Sequence, residues 1–285
     1  MQLLDGKALS AKVEKEIADE VKILKADTGL VPGLAVILVG QDPASAAYVR
    51  MKKKACDRVG FYSVTHEMPD DISQDAIEKT ITMMNDNPNI DGILIQLPLP
   101  PQIDTTKILE LVDPSKDVDG FHPYNVGRLT TGLDGFVPCT PLGVMNLLHE
   151  YNIDVKGKNC VVVGASNIVG KPMASLLLNA NATVEICHIF TDDLKTHTLR
   201  ADILFVGVGV IDLIKEDMVK DDVIVIDIGI NRANDGTLVG DVDFDRVSKK
   251  CSYITPVPGG VGPMTIAMLL SNTLKATKAH ADERE

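Results

Sequence analysis

Short aliphatic runs alternate with amphipathic stretches of helical period along the whole chain. Near the N-terminus, Val13, Ile17, Val21 and Leu24 share one helical face, and residues 34–39 then form a continuous apolar run. A run of that length is typical of a strand buried on both faces of a sheet, and such strands occur in parallel sheets covered by helices. The pattern therefore predicts an α/β fold built on parallel sheets.

The same alternation divides the chain into two parts. Strands are predicted in the first part at residues 34–39, 61–67 and 93–97, and in the second at residues 160–163, 183–187, 203–206 and 223–228. Helices are predicted over residues 45–59 and after an N-cap at Ser73. Residues 113–141 are rich in Gly, Pro, Asp and Asn, and Thr140 with Pro141 has the form of an N-cap followed by the first helical residue. We expect two α/β domains with a cleft between them.

The charge balance limits the classes of partner. With 28 Lys and Arg against 40 Asp and Glu, the 285-residue chain has a formal net charge of −12, the wrong sign for binding nucleic acid or an anionic membrane. Apolar residues make up 45% of the chain, but no apolar run approaches the ~20 residues of a bilayer-spanning helix. The first residues have neither a basic region nor an apolar signal core, so a cytosolic protein is expected.

The cysteines and histidines show no metal-binding pattern. The five cysteines are scattered without a Cys-x-x-Cys pair, and the six histidines lack ligand spacing. We therefore expect reduced, mostly buried thiols and no bound metal.

Residues 161–170, Val-Val-Val-Gly-Ala-Ser-Asn-Ile-Val-Gly, predict a strand, a tight turn and the start of a helix. Free amides at a helix N-terminus and the close approach that glycine permits suit a dinucleotide pyrophosphate. Ser166 replaces the middle glycine of the usual Gly-x-Gly-x-x-Gly spacing, and Gly170 lies six positions after Gly164. On this motif alone, a nucleotide site and a purely structural strand-to-helix turn both stay open.

The next strand ends in Cys187-His188-Ile189, where an acid for the ribose hydroxyls of NAD is expected. Glu185 lies within the strand and is expected on its solvated face. The missing acid removes one obstacle to the 2′-phosphate of NADP, but no arginine is present to bind that phosphate. Lys171 is the nearest cation, and either a cofactor contact or an ordinary exposed helix position fits it.

Tyr48 and Lys52 are four residues apart on a predicted helix, so their side chains share one face. Four basic residues lie near Lys52 in the sequence, namely Arg50, Lys53, Lys54 and Arg58. Crowding of like charge would lower the pKa of Lys52 and favour the neutral form that a general base requires. A solvated basic helix face explains the same residues. A Tyr-x-x-x-Lys pair also occurs in short-chain dehydrogenases, but there it follows the cofactor glycines, whereas this pair precedes Gly164 by 116 residues.

Three further segments contain candidate site residues. Gln96 is a single amide at the end of an apolar strand, where it either bonds a backbone group or points into a site to hold a catalytic side chain. Asp117 and Asp119 in Lys-Asp-Val-Asp-Gly are predicted on opposite sides of an extended segment, where Asp119 could grip a ring with adjacent donors. Residues 256–263 predict a stiff turn that presents backbone amides, before a helix that Thr265 helps to start.

Taken in order, these motifs resemble those of the bifunctional methylenetetrahydrofolate dehydrogenase/cyclohydrolase family. The segments that carry the resemblance are Tyr48-x-x-x-Lys52, Gln96-Leu97-Pro98-Leu99-Pro100, Lys116-Asp117-Val118-Asp119-Gly120, Gly164-Ala165-Ser166-x-x-Val169-Gly170 and Pro258-Gly259-Gly260-Val261-Gly262-Pro263. Any one of them is weak evidence, but together they cover essentially the whole chain with the right separations. The resemblance implies a folate-binding catalytic domain of residues 1–139 plus 259–285 and a Rossmann-like NAD(P)-binding domain of residues 140–258.

The resemblance also implies the reaction. Members of the family oxidise 5,10-methylenetetrahydrofolate to the 5,10-methenyl form with NADP, then hydrolyse that cation to 10-formyltetrahydrofolate at the same site. The expected context is one-carbon metabolism, including purine, methionine and histidine biosynthesis, and the expected assembly is a homodimer.

Roles for individual residues follow from the same resemblance. The catalytic residues are Lys52 for proton handling, Gln96 to orient that lysine, Tyr48 to flank the folate and Asp119 to bind the pterin. The substrate site also includes Pro258, Gly259 and Gly260. The cofactor contacts are Gly164, Ala165, Ser166, Ile189 and Ile230.

Ile189 is a departure, because many relatives that use NADP have a polar or basic side chain there. NADP is therefore expected over NAD, but with a weak grip on the 2′-phosphate. Two alternatives are a monofunctional methylenetetrahydrofolate dehydrogenase and a non-catalytic folate or nucleotide sensor. The presence of Lys52 and Gln96 argues against the first, and their presence together with the cofactor turn argues against the second.

Overall fold

The computed structural model describes residues 1–284, with side chains as far as Ala281 in the last helix. In chain order the strands are β1 Gln2–Leu3, β2 Gly33–Val39, β3 Tyr62–Met68, β4 Gly92–Ile95, β5 Asn159–Val163, β6 Thr183–Cys187, β7 Ile203–Val206, β8 Val223–Asp227, β9 Asn231–Arg232, β10 Leu238–Val239 and β11 Cys251–Ile254. The helices are α1 Gly6–Thr28, α2 Pro43–Val59, α3 Gln74–Asn85, α4 Thr105–Leu111, α5 Pro123–Thr130, α6 Cys139–Glu150, α7 Gly170–Asn179, α8 Leu194–Thr198, α9 Phe244–Val247 and α10 Val261–Arg284. Short 3₁₀ turns occupy Glu216–Met218 and Ser248–Lys250.

The described residues divide into two compact units. The three-strand unit contains residues 11–128, 134–139 and the chain from residue 266 onward, and the six-strand unit contains residues 1–10, 129–133 and 140–265. No helix among the described residues is long and apolar enough to cross a bilayer.

The three-strand unit is built on a parallel sheet in the order β3-β2-β4. Every residue of the central strand β2 is buried, which explains its continuous apolar sequence. On one face, Ile37 and Ile93 pack with Ile77, Ile81 and Ile108 from helices α3 and α4. This aliphatic core fixes the end of β4, from which Gln96 follows directly.

The six-strand unit is built on a parallel sheet in the order β1-β11-β8-β7-β5-β6, beside a separate two-strand antiparallel ribbon of β9 and β10. Adjacent strands β5 and β7 pair Val163 with Val206, so the turns that follow them begin side by side. The next strand, β8, pairs Asp227 with Val206. The segments after β5, β7 and β8 therefore share the carboxyl edge of the sheet, where ligands of such sheets bind.

The sequence predictions of an α/β fold and of its seven strands are confirmed, with strand ends displaced by at most two residues. The predicted N-cap at Ser73 is also confirmed, because its hydroxyl accepts a hydrogen bond from the amide of Ala76 at 3.3 Å. All five cysteines are buried free thiols, as expected.

Two predicted helix starts are wrong. Helix α6 begins at Cys139, so Thr140 lies inside the helix rather than capping it, and helix α10 begins at Val261, four residues before Thr265. Both threonine hydroxyls take another partner, since Thr140 Oγ1 and Thr265 Oγ1 lie 2.9 Å apart. A tertiary contact has thus replaced the local capping bond that the sequence suggested.

Residues 113–141 contain a helix that the sequence did not indicate, α5 Pro123–Thr130. Its buried Asn125 donates from Nδ2 to the Asp117 carboxylate at 2.8 Å and accepts from the amide of Phe136 at 3.3 Å. Polar bonds to residues on both sides hold this helix in place, which explains why hydrophobic periodicity missed it.

Candidate active site

Helix α2 presents Tyr48 and Lys52 on one face. The helix starts two residues earlier than predicted, because the Asp42 carboxylate accepts a hydrogen bond from the amide of Ser45 at 2.7 Å. Lys52 is buried, with only 5% of its surface exposed. Its Nζ lies 4.6 Å from the centre of the Tyr48 ring, within the range of a cation–π contact.

Gln96 fixes the position of the Lys52 amine. Lys52 Nζ donates to Gln96 Oε1 at 3.0 Å, while Gln96 Nε2 donates to the carbonyl of Leu97 at 2.9 Å. The backbone amide of Gln96 is bound in turn to the carbonyl of Ile37 at 2.9 Å, which extends the β2–β4 ladder. The sequence left two roles open for Gln96, a bond to the backbone or a bond to a catalytic side chain. Its side chain makes both bonds, one to a backbone carbonyl and one to the candidate catalytic Lys52.

Burial lowers the pKa of Lys52, and the nearby charge of Asp119 opposes that shift. The expected direction is confirmed, but the cause inferred from the sequence is wrong. The neighbouring Arg50, Lys53 and Lys54 are exposed to solvent, and Arg58 forms an ion pair with a carboxylate on another helix. Removal of the amine from water, rather than crowding by cations, favours the neutral form.

The segment around Asp119 forms tight turns, so the predicted extended conformation is wrong. The amide of Val118 donates to the carbonyl of Lys116 at 2.9 Å, and that of Gly120 donates to the carbonyl of Asp117 at 3.0 Å. Gly120 has a φ of 70°, and a Cβ there would lie 2.7 Å from the backbone nitrogen of Pro138. Only glycine suits this position.

Buried hydrogen bonds anchor the residues that precede Asp119. The ammonium of Lys116 donates to two carbonyls at the end of α3, those of Met84 and Asn85, at 3.2 and 2.7 Å, and to that of Asn87 just beyond the helix at 2.9 Å. The Asp117 carboxylate accepts from the amides of Phe121 and His122 at 3.1 and 2.9 Å, besides the amide side chain of Asn125. Asp119 is therefore presented from a segment whose backbone cannot shift freely.

Burial raises the pKa of Asp119, while the positive charge of Lys52 and a hydrogen bond with the Cys139 thiol oppose the shift. The partly buried carboxylate and the buried amine thus influence each other directly. The four predicted catalytic residues, Tyr48, Lys52, Gln96 and Asp119, all lie in the three-strand unit.

The glycine turn after β5 lies in the six-strand unit. Gly164 has a φ of 120°, and a Cβ there would lie 2.5 Å from the carbonyl oxygen of Gly207. A Cβ on Gly170, the first residue of α7, would lie 1.9 Å from the carbonyl oxygen of Gly164. The two glycines let the helix N-terminus approach the strand end, as a pyrophosphate site requires.

Ser166 takes the place of the middle glycine in this turn. Its exposed hydroxyl accepts from the amides of Val169 and Gly170 at 3.1 and 3.4 Å. Ala165 is partly exposed beside it. Lys171 Nζ donates to Asn167 Oδ1 at 2.7 Å on the exposed surface, so this cation is already engaged within the turn.

Ile189 and Ile230 follow strands β6 and β8 and remain exposed, at 92% and 56% of their surface. Exposed isoleucines at the carboxyl edge of a parallel sheet can cover a nucleotide by apolar contact. Glu185 has a side chain 39% exposed, as expected for the solvated face of β6, and pairs there with His197 at 2.5 Å.

The loop at Pro258, Gly259 and Gly260, which was predicted to present backbone amides, has one of them engaged within the loop. The amide of Gly260 donates to the carbonyl of Pro256 at 2.8 Å, and the carbonyl of Gly259 accepts from the amide of Lys7 at 2.9 Å. Gly259 has a φ of 106°, which explains the need for glycine.

Comparison with known proteins assigns both parts of the chain. The catalytic domain of tetrahydrofolate dehydrogenase/cyclohydrolase matches residues 4–119, and the NAD(P)-binding domain of the same family matches residues 138–281. The chain belongs to the tetrahydrofolate dehydrogenase/cyclohydrolase family. The resemblance inferred from the sequence motifs is thereby confirmed.

Individual relatives match this chain along nearly the whole length of both chains. Bifunctional protein FolD of Sulfurimonas denitrificans is 86% identical over 285 residues, which is 100% of both chains. The crystal structure of the bifunctional enzyme FolD, methylenetetrahydrofolate dehydrogenase/cyclohydrolase, from Campylobacter jejuni superposes with a TM-score of 0.96 at 56% identity, covering 98% of this chain and 99% of that one. The Trypanosoma brucei enzyme, solved with NADP cofactor and an inhibitor, gives a TM-score of 0.94 at 38% identity and 97% coverage of each chain.

Two residues near Asp119 were not identified as site residues from the sequence. Cys139 is buried against the Asp119 carboxylate, and burial raises the pKa of its thiol well above the ordinary value. Asn272 donates from Nδ2 to the carbonyls of Val118 and Val137 at 2.8 and 3.0 Å, and lies 3.7 Å from Cys139 Sγ. The available sequence signal was one asparagine among apolar residues of the last helix. Such a residue indicates that a polar partner is present, but it does not identify that partner.

In the described part of the chain, no group of three or more His, Cys, Asp and Glu side chains could hold a metal ion.

Proposed function

We propose that this chain oxidises 5,10-methylenetetrahydrofolate to the 5,10-methenyl form with NADP and then hydrolyses the methenyl cation to 10-formyltetrahydrofolate, with Lys52 at the centre of the folate site. The chain is an NADP-dependent methylenetetrahydrofolate dehydrogenase and methenyltetrahydrofolate cyclohydrolase. The observation that carries this assignment is the buried Lys52 amine bound to Gln96 in a chain of this family.

Lys52 manages protons during hydrolysis. Water attacks the methenyl carbon, and the amine of Lys52 accepts the proton that the water loses. Lys52 then returns that proton to N5 as the bond from the carbon to N5 breaks, and the hydroxyl left on the carbon releases its proton to solvent, so the products are the formyl group on N10, a neutral N5–H and one proton in solution. A neutral amine suits this task, because an ammonium beside a cationic substrate would repel it and could not accept a proton. The lowered pKa of buried Lys52 favours that neutral form.

Gln96 and Tyr48 orient the amine. The carbonyl oxygen of Gln96 accepts one N–H of Lys52, so the nitrogen lone pair is directed elsewhere, toward the attacking water. The Tyr48 ring lies 4.6 Å from Nζ and restricts the position of the Lys52 amine on another side. The same ring offers a flat surface to a folate ring.

Asp119 binds the pterin. A carboxylate accepts hydrogen bonds from adjacent donors, and the rigid turns before Asp119 hold it in place for two such bonds. The hydrogen bond with the Cys139 thiol favours the ionised carboxylate that this role requires, against the effect of burial. The loop of Pro258, Gly259 and Gly260 is assigned to the folate as a backbone surface.

The residues of the glycine turn fit the dinucleotide. Replacement of the hydrogen on Gly164 by a methyl group would force a 2.5 Å contact, and the amides that open α7 lie next to this turn. When bound, NADP accepts the hydride from the folate. Gly164, Ala165 and Ser166 hold the phosphates by their backbone, while Ile189 and Ile230 cover the nucleotide by apolar contact.

Several finer points belong to the same proposal. Residues 1–139 and 259–285 are assigned to folate binding and residues 140–258 to NADP binding, although residues 1–10 and 259–265 pack in the six-strand unit. The chain acts in the cytoplasm, where its products serve purine, methionine and histidine biosynthesis. It forms a homodimer, for which β6 offers an edge strand with partly exposed Ile186. Light scattering on the purified chain tests the dimer.

Two absorbance assays test the function. In the first, methylenetetrahydrofolate and NADP give reduced nicotinamide; in the second, methenyltetrahydrofolate without cofactor disappears faster than in buffer. Both rates above background are expected. Reduced cofactor without enzymatic hydrolysis would show the monofunctional dehydrogenase, and binding without either reaction would show a sensor.

A further inference from the structure

Asp241 is a buried carboxylate to which neither the sequence motifs nor the proposed mechanism assigns a role. It follows Gly240 after strand β10, and its side chain has no exposed surface. A buried charge is costly unless hydrogen bonds compensate it, so its partners indicate why it is there.

Three successive backbone amides converge on this carboxylate. Asp241 Oδ2 accepts from the amides of Val208 and Gly209 at 2.7 and 3.0 Å, and Oδ1 accepts from that of Val210 at 2.9 Å. Such a row of amides forms a concave site for an anion. The chain's own carboxylate fills it, so residues 208–210 are held in one conformation and are not available to bind a phosphate themselves.

The same carboxylate also binds the segment after β8. Asn231 Nδ2 donates to Asp241 Oδ1 at 2.8 Å and to the carbonyl of Gly240 at 3.2 Å. Gly229 leaves room for this arrangement, because a Cβ there would lie 2.2 Å from the carboxylate carbon of Asp241. Asp241 thus connects the loop after β7 with the residue that follows Ile230.

Both connected segments border the proposed cofactor site. Loop 208–210 follows Gly207, whose carbonyl oxygen would lie 2.5 Å from a Cβ on Gly164 and whose amide donates to the carbonyl of Val163 at 2.9 Å. Ile230 lies directly before Asn231 on the other side. Movement of loop 208–210 would therefore disturb the glycine turn and Ile230 together.

We propose that Asp241 is a positioning residue for NADP, whose buried carboxylate holds loop 208–210 and Asn231 in the arrangement that the cofactor binds. The inference rests on the proposed cofactor site at Gly164 and Ile230. Asp241 contacts neither cofactor nor folate in this role, so it acts on cofactor affinity and not on the hydride step.

The test is the isosteric substitution Asp241→Asn in the full chain. The NH₂ group of the asparagine would face backbone amides. Because both groups are hydrogen-bond donors, loop 208–210 would lose at least one hydrogen bond. We expect the KM for NADP to rise roughly 10-fold or more, while the dehydrogenase kcat at saturating NADP changes less than about 3-fold. The KM for the folate should stay unchanged, so the ratio of dehydrogenase to cyclohydrolase activity at low NADP falls.

A matched control exists at the opposite edge of the same sheet. The Asp202 carboxylate accepts from the amide of Asn159 at 2.8 Å and from Lys220 Nζ at 2.5 Å, just before strand β7. Asp202→Asn should leave the KM for NADP unchanged. A merely structural role for Asp241 would lower kcat with the fraction of folded protein and leave that KM unchanged, and this result would overturn the proposal.

Two further variants keep the outcomes distinguishable. If Asp241→Asn does not fold, Asn231→Ala removes one bond to the same carboxylate and should raise the KM for NADP roughly 2- to 5-fold, and an unchanged KM would overturn the proposal. Gly164→Ala tests the cofactor site itself. A raised KM in Gly164→Ala but not in Asp241→Asn would reject the role of Asp241 alone, whereas no change in either would reject the proposed cofactor site as well.

Discussion

At the scale of single residues, the proposed chemistry depends on the environment of Lys52. The sequence correctly predicts Tyr48 and Lys52 on one helix face, since that follows from a spacing of four residues. It does not predict why the pKa of Lys52 falls, because burial depends on residues far away in the chain, such as Gln96 and Asp119. Local charge density was the only available guide, and the exposed lysines next to Lys52 made it misleading.

Lys52→Met tests the proton-handling role. We expect cyclohydrolase activity to fall at least about 100-fold, because no other group in that position can accept the proton from water. Hydride transfer should remain measurable, since it depends on alignment of the reactants rather than on an acid or base. Both activities are measured by absorbance in the same preparation.

Lys54→Met is the matched control, because Lys54 is exposed on the same helix. It should leave both activities close to those of the unmodified chain. Equal loss of both activities in a folded Lys52→Met protein would contradict the assigned role.

Gln96→Glu tests the protonation state of Lys52. A carboxylate 3.0 Å from Nζ favours the ammonium and raises the pKa of Lys52. Since hydrolysis needs the neutral amine, its rate rises with pH through the pKa of Lys52, and the substitution should shift that rise to higher pH by about 1–3 units. The measurement is the pH profile of cyclohydrolase activity, with the exposed Gln102→Glu as control. An unchanged profile would count against the neutral amine.

At the scale of elements, the loop that carries Asp119 depends on one buried lysine. The Lys116 ammonium binds the last carbonyls of helix α3, at a helix end where the dipole also favours a cation. A helix C-terminus and a binding loop are thereby fixed by the same side chain.

Lys116→Met should destabilise the protein by about 3 kcal/mol, because it leaves carbonyls near the end of α3 without their charged donor. Urea unfolding measures this loss. Lys107→Met, at an exposed position on helix α4, should change the stability by less than about 0.5 kcal/mol. Equal midpoints for the two variants would show that Lys116 does not hold this loop.

The accuracy of sequence reasoning differs between kinds of element. Strands such as Ile203–Val206 were located to the residue, because an uninterrupted aliphatic run has few alternatives in a buried parallel sheet. Helix ends were predicted less accurately, because the hydroxyls of Thr140 and Thr265 can either cap a helix or bond to each other, and here they bond to each other. Helix α5 was missed because polar contacts of Asn125 hold it.

At the scale of the whole molecule, the preference for NADP over NAD depends on the lack of an acidic side chain at Ile189, directly after strand β6. No acid lies at residues 188–191, directly after strand β6, to repel the 2′-phosphate. Asp192 and Asp193 just beyond oppose its binding, and Lys171 is already bound to Asn167. We expect kcat/KM for NADP to exceed that for NAD by a modest factor, roughly 3- to 30-fold. Parallel assays with the two cofactors measure the factor. Equal or better turnover with NAD would show that the absence of repulsion gives no selectivity.

The central claim is that one folate site performs both reactions, since Tyr48, Lys52, Gln96 and Asp119 are gathered in a single unit. A methenyl cation formed beside Lys52 should often be hydrolysed before it escapes, because the reacting groups are already positioned.

The most direct measurement supplies labelled methylenetetrahydrofolate and NADP together with an unlabelled pool of methenyltetrahydrofolate, and follows early label in 10-formyltetrahydrofolate. The account predicts more early label in that product than full mixing with the pool allows. Label that always equilibrates with the pool before it reaches the product would contradict the claim.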